Sequence, residues 1–318
     1  MDIEYLLWLQ GIREASPAVV QALFRFLGSS AAAAVALVVP CVAYWCLDKR
    51  KSWLALISYG ASLMVNQLIK ATACVYRPWV RDPRIVPEPS AIDAASGYSF
   101  PSAHTQSSTS MLVALGWQWR DRTWPLVLGL VFTFLVAFSR NFLGVHAPQD
   151  VIVGFVEACL VIWLVSRLLA WVEAGEGRDL VVLAWGAALV AAGLVYVTLK
   201  PYPAEYIGGK LLVDPFEMIE DCYKSAGVVL GVLAGWVIER RFIGFSTDGM
   251  DLKRGVLRLI VGGALLGLAY GPVGHAFVSL LGAYPGQLVR HLLVFLTVTA
   301  LAPAAFVAVE GRALRGAS

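Results

Sequence analysis

The chain has 318 residues, 58% hydrophobic and only 15% charged, with a mean hydropathy of +0.70. That balance excludes an ordinary soluble domain, because apolar runs close to the roughly 17–25 residues needed to cross a bilayer recur throughout. A net charge of +3, spread over scattered basic residues, speaks against a nucleic-acid partner.

In chain order, the segment before Ser29 sets Glu4, Arg13, Glu14 and Arg25 among Leu, Trp and Phe, the pattern of interfacial helices. Its start, Met1-Asp2-Ile3-Glu4, is acidic, unlike the basic start of a signal peptide. Apolar runs then predict spans at 31–47, 52–71, 103–119, 124–140, 149–171, 180–199, 223–238, 256–272 and 288–309. The expected fold is therefore all-α, a polytopic transmembrane bundle of about nine spans with N-terminal interfacial helices.

Two loops interrupt the spans. Residues 77–100 are rich in Pro, Asp and Arg, and residues 200–221 hold Pro201, Pro203, Gly208, Gly209 and Pro215. Lys49, Arg50, Lys51, Arg120, Arg122, Arg167, Arg178, Arg240, Arg241, Lys253, Arg254, Arg258, Arg312 and Arg315 lie in the opposite set of loops. The excess of Lys and Arg marks that set as cytoplasmic and both long loops as non-cytoplasmic. Cys41, Cys46, Cys74, Cys159 and Cys222 make no C-x-x-C pair and no zinc pattern, and read as packing residues.

Three pieces carry chemistry. In Lys70-Ala-Thr-Ala-Cys-Val-Tyr-Arg77-Pro78, a helix continued through position 77 would place both cations on one side, with Pro78 ending it. In Gly97-Tyr-Ser-Phe-Pro-Ser102-Ala-His104, Ser99 is a candidate cap and Pro101 a first-turn residue. Ser102 and His104 then stand at a helix N-terminus, where free N–H groups favour an anion. In Ser139-Arg140-Asn-Phe-Leu-Gly-Val-His146-Ala-Pro-Gln-Asp150, the carboxylate follows the histidine by four residues. It can accept one ring N–H and leave the other nitrogen as nucleophile.

Taken singly, Lys70, Arg77 or Arg140 is an ordinary snorkelling side chain, His104 or His146 an interfacial residue, and Asp150 a helix-start charge. Three cations, two histidines and one carboxylate on one membrane face are another matter, because charge at that depth is costly unless paired or used.

These residues, K-x6-R-P, P-S-x-H and S-R-x5-H-x3-D in this order, resemble the three motifs of the type-2 phosphatidic acid phosphatase superfamily. The first five spans also resemble its compact membrane-bound bacterial members. The resemblance covers about residues 1–172, expected to be a catalytic core, and leaves 173–318 as a transmembrane extension without a chemical signature. It implies a lipid phosphate or diphosphate substrate such as undecaprenyl diphosphate or phosphatidate, and neither cofactor nor metal. In the implied mechanism His146 attacks phosphorus to give a phosphohistidine, Asp150 orients it, and His104 protonates the leaving oxygen. Lys70, Arg77, Ser102 and Arg140 bind the phosphoryl oxygens. One departure is visible: Ala103 stands where the second motif has glycine.

Two other readings remain: a phosphatase for a soluble ester such as a sugar phosphate, and a lipid transporter with a vestigial phosphatase core. Arg81, Asp82 and Arg84 read as a solvated loop, and Asn66 and Gln67 as partners of a neighbouring helix. His275 and His291 are isolated. Glu217, Glu220, Asp221 and Lys224 form a charged cluster at the outer end of the seventh span.

Overall fold

A computed structural model describes residues 1–207 and 209–315; Gly208 and residues 316–318, which the predicted second loop and extension include, lie outside the described residues. Helices dominate, as the apolar runs require. Two short helices, α1 (Asp2–Ala15) and α2 (Ala18–Leu27), precede α3 (Ser30–Leu47) and α4 (Lys49–Ala73). Then come α5 (103–118), α6 (Thr123–Phe142), α7 (Pro148–Glu173), α8 (Arg178–Leu199) and α9 (Pro215–Ile238). The last two are α10 (Leu252–Leu281) and α11 (Ala283–Glu310). The only strands among the described residues are a two-residue antiparallel pair, Tyr206–Ile207 with Lys210–Leu211.

Seven of these helices are long and apolar enough to cross a membrane: α3, α4, α6, α7, α8, α10 and α11. The other two predicted spans, 103–119 and 223–238, fall in α5 and α9. The first is interrupted by a π-helical turn at Thr109–Val113, and the second runs on through another at Glu239–Ile243. Side-chain caps set several helix starts: the Asp48 carboxylate accepts from Lys51 N (3.0 Å), that of Asp214 from Phe216 N (2.8 Å) and that of Asp251 from Arg254 N (2.7 Å).

The two halves of the chain share one core. Leu54, Leu56 and Ile57 of α4 pack with Val228, Val232 and Trp236 of α9, and with Phe295 and Val298 of α11. Gly227, Gly231 and Gly235 recur every four residues along α9. A Cβ at Gly227 would collide with the Leu288 carbonyl oxygen and one at Gly235 with the Thr299 hydroxyl, so α9 and α11 approach closely through small residues. From the other side, Tyr44 Oη and Trp45 Nε1 donate to the Thr299 and Val298 carbonyls at 2.8 Å each.

The two long loops meet at one end of the bundle, where Tyr98, Val213 and Met218 form a buried cluster flanked by Tyr76 and Tyr202. Over the same end lies α1. Leu6 packs with Ile85 and Ala147, Arg13 donates to the carbonyls of Phe142 (3.1 Å) and Val86 (2.5 Å), and Arg81 pairs with Asp2 (2.8 Å). Arg84 binds Glu4 (3.1 Å) of α1 and Asp82 (2.8 Å) of its own loop; Arg81 and Arg84 are exposed, as a solvated loop is expected to be, while their ion pairs also tether it to α1.

Candidate active site

The predicted residues reach the site by different routes. The continuous helix expected from Lys70 through Arg77 does not form, because α4 ends at Ala73 with Cys74 in the left-handed region (φ 48°). Residues 75–77 are outside any helix, with Arg77 extended, and Pro78 opens a short helical turn, Pro78–Arg81, in place of closing a helix. Arg77 therefore arrives by reversal of the chain. Its guanidinium acts as a bracket between loops: Nε donates to Gly97 O (3.1 Å), Nη2 to Ser96 O (2.7 Å) and Nη1 to Val145 O (3.1 Å). Nη1 also lies 2.9 Å from His146 Nε2.

Ser102, not Ser99, caps α5: its hydroxyl accepts from Thr105 N (3.5 Å), and its own N–H donates to Asp150 O (2.9 Å). The backbone approaches closely there, since a Cβ on Gly154 of α7 would lie 2.7 Å from the Ser102 carbonyl oxygen. Ser99 instead donates its hydroxyl to Asp150 Oδ2 at 2.5 Å. Ala103 opens the helix and is half-buried.

His146 sits in the reversal between α6 and α7, where Gly144 takes the left-handed turn (φ 74°). Asn141 Nδ2 donates to the His146 carbonyl (2.8 Å) and fixes the turn. Asp150, in the first turn of α7, accepts at Oδ2 from Ala147 N (2.9 Å), Ser99 Oγ and His146 Nδ1 (3.2 Å). Arg77 Nη1, 2.9 Å from Nε2 and 3.5 Å from Nδ1, lies against the ring, while Asp150 Oδ2 lies within reach of Nδ1. The side chains of His146 and Asp150 meet at 3.2 Å, as their spacing suggests. Burial, and after it the nearby charges of Arg77, Arg140 and Lys70, lowers the His146 imidazole well below its usual 6.5 and keeps it neutral.

Arg140 is fully buried; Nη1 donates to Gly28 O, Nη2 donates to Ala94 O (3.3 Å), and Nε has no partner. Lys70 is 5% exposed and makes no side-chain hydrogen bond among the described residues. His104 has a buried Nε2 without a partner, and its ring lines a small cavity with Leu27, Ala36 and Val136, within electrostatic range of Arg140 and His146. No hydrogen bond joins His104 to His146.

The electrostatics point to an anion. Lys70, Arg77 and Arg140 are at most 5% exposed; Asp150 lies in electrostatic range of Lys70 and Arg77, and Asp221 of α9 in range of Lys70. Arg140 Nε and His104 Nε2 are unsatisfied, as is Asp150 Oδ1. Unpaired buried charge is expensive, and an anion with several acceptor oxygens is the natural complement. No group of three His, Cys, Asp or Glu side chains able to hold a metal occurs among the described residues. A cavity of about 1110 Å³, almost wholly apolar, lies elsewhere, between Met64 and Leu68 of α4, Trp171 of α7, Trp185 of α8 and Val229 of α9.

Reasoning from sequence missed Ser99 as the partner of Asp150, together with Asn141, Arg13 and Gly28. Only Asn141 had a local signal, its place inside the third motif. Elsewhere, the Asn66 amide meets Glu157 of α7, as expected of a helix partner. His275 and His291 contact the carbonyls of Gly271 (2.7 Å) and Gln287 (2.9 Å), and Lys224 bridges Glu220 (3.5 Å) and Asp221 (2.9 Å).

The multi-pass helical bundle and the comparisons below make the protein a membrane phosphatase, a hydrolase of phosphate esters. The chain belongs to the PAP2 superfamily, which it matches over residues 51–173; residues 223–313 match the PAP2 superfamily phosphatase transmembrane extension. It is 31% identical over 153 residues to an undecaprenyl-diphosphatase of Bacillus subtilis, covering 47% of this chain and 75% of that protein. Phosphatidylglycerophosphatase B of Escherichia coli is 37% identical over 78 residues, 24% of this chain and 29% of that protein. Decaprenylphosphoryl-5-phosphoribose phosphatase of Mycobacterium tuberculosis is 32% identical over 111 residues, 33% of this chain and 55% of that protein. The chain thus spans less than two thirds of these last two. No solved structure matches it significantly.

Proposed function

We propose that this phosphatase hydrolyses a lipid phosphate or diphosphate through a phosphohistidine at His146, with its site on the non-cytoplasmic face. The observation that carries the reading is the set of buried cations, Lys70, Arg77 and Arg140, around a buried histidine whose Nδ1 lies 3.2 Å from an Asp150 carboxylate oxygen. In the reaction, His146 Nε2 attacks phosphorus in line with the leaving oxygen, and Asp150 stabilises the imidazolium that forms. Arg77 Nη1 passes from Nε2 to a phosphoryl oxygen, joined by Lys70, Arg140 and the Ser102 hydroxyl as charge develops. His104 gives its proton to the leaving alkoxide or phosphate. It then takes a proton from the water that attacks the phosphohistidine, so that inorganic phosphate leaves and both histidines are restored.

The lipid substrate is supported by the intramembrane setting and by relatives whose names specify polyprenyl or glycerolipid phosphates. Residues 1–172 act as the catalytic core, and 173–318 buttress it through α9. Phosphate release in detergent from undecaprenyl diphosphate, phosphatidate, phosphatidylglycerophosphate and a sugar phosphate is the test. Turnover of at least one lipid with little of the sugar ester is expected, and turnover of the sugar ester alone would overturn the lipid assignment.

The pH profile carries a signed expectation. An unshifted histidine is half-protonated at 6.5, whereas the lowered value of His146 keeps its nucleophilic form as pH falls through that point. The acidic limb of kcat/KM should therefore lie below pH 6.5. A limb centred at or above it would show that burial and the three cations do not suppress protonation.

A further inference from the structure

Beneath the phosphate-binding groups lies a buried polar contact that the chemistry above does not use. Asn66 precedes Lys70 by one turn of α4, and Glu157 follows Asp150 by two turns of α7, about 6 and 10 Å of helix rise away. The two helices run in opposite directions, so both steps lead into the bundle. Asn66 and Ser62 are 0% exposed and Glu157 is 6% exposed. Asn66 Nδ2 donates to Glu157 Oε2 at 3.5 Å, yet Asn66 Oδ1, Glu157 Oε1 and Ser62 Oγ are all buried without partners.

Counting donors decides the protonation state. With Glu157 ionised, the orphaned atoms Asn66 Oδ1 and Glu157 Oε1 are both pure acceptors, and the Ser62 hydroxyl can donate to only one of them. One acceptor and one negative charge would then stay buried and uncompensated. No cation offsets the charge: residues 105–118 of α5 and 180–199 of α8 carry no charged side chain, and α3 carries none from 31 to 47. On α4 and α7 the next charged groups towards the site are Lys70 and Asp150, and the next away from it are Lys51 and Arg167. On α9 the charged groups are Glu217, Glu220, Asp221 and Lys224 at one end and Glu239 beyond the other. One added proton removes the conflict. A carboxylic acid donates O–H to Asn66 Oδ1 while accepting from Asn66 Nδ2, the two-bond pairing of an acid with an amide, and Ser62 is free to donate to the acid as well.

We propose that Glu157 and Asn66 form a neutral carboxylic acid–amide pair locking α4 to α7, and that this pair positions Lys70 in register with His146 and Asp150. The positioning role rests on the phosphatase reading above; the acid–amide pair does not. Glu157 touches no reacting atom and is a positioning residue.

The test compares wild-type protein with E157Q, E157L and H146A in detergent. Infrared spectroscopy at neutral pH should show a protonated carboxylic-acid carbonyl band in wild type and H146A that E157Q lacks. E157Q, which keeps the shape and a donor, should retain phosphate release within about threefold, whereas E157L should lose about tenfold to a hundredfold, with a raised KM. On raising the pH, wild type should lose thermal stability as Glu157 is forced to ionise, and E157Q should not. Absence of an E157Q-sensitive band would overturn the proposal, and so would a loss in E157Q as large as in E157L. The band and the E157Q comparison need no change in packing, so misfolding of E157L leaves the test intact. A band present in a wild type inactive on every phosphate ester would sink the phosphatase reading while leaving the pair standing.

Discussion

Replacing His146 by alanine is expected to lower phosphate release by at least about a thousandfold while the protein stays folded. The imidazole, held against Asp150, supplies the attacking electron pair. Its loss leaves the buried cations able to bind the phosphate, so KM should move far less than kcat. A thousandfold corresponds to about 4 kcal/mol of transition-state stabilisation. The ring makes few structural contacts beyond Arg77 and Asp150, and the backbone around it is held independently by Asn141 and by N–H bonds from Val145 (3.1 Å) and His146 (3.2 Å) to Arg140 O. A melting temperature near wild type with activity gone is therefore the expected pair of readings. Activity within tenfold of wild type would remove His146 from the nucleophile's role.

Arg77→Ala is expected to cost about a hundredfold to a thousandfold in kcat/KM, as does loss of a preorganised donor to developing charge, and to lower stability as well. The stability loss follows from the bracket: three carbonyl oxygens, at Ser96, Gly97 and Val145, lose their guanidinium donors together. Arg77→Lys separates the two roles. An ammonium keeps the charge but cannot span three carbonyls and a substrate oxygen at once, so only part of the activity should return. Full activity in the lysine variant would mean that the fork is unnecessary, and that Arg77 acts as a point charge.

Much of this arrangement was legible in the sequence where the determinants were local. His146 and Asp150 are four residues apart at the start of a helix, and their side chains meet as that spacing suggests. Ser102, beside Pro101 and before an apolar run, sits at a helix N-terminus as expected, although the capping role passed from Ser99 to Ser102. The failures were tertiary. Helical periodicity extrapolated from Lys70 to Arg77 ignored the left-handed Cys74, at which α4 stops. Ser99 reaches Asp150 across 51 residues of sequence, and Arg140 reaches Gly28 across 112, separations on which helix periods are silent. Nor did the apolar runs show that α9 of the extension would pack against α4 of the core, because an apolar run marks a span without naming its neighbour, and the glycine row that admits α11 shows its use only against that partner.

The central claim, covalent capture of phosphorus by His146, is tested most directly by trapping the intermediate. Enzyme mixed with a substrate labelled in its terminal phosphate, quenched within a single turnover and digested at alkaline pH, should yield one labelled peptide. Its label should be stable to base and labile to acid, as a phosphoramidate is, map to His146, and be missing from H146A. Turnover without labelled protein, or label on any other residue, would contradict the account.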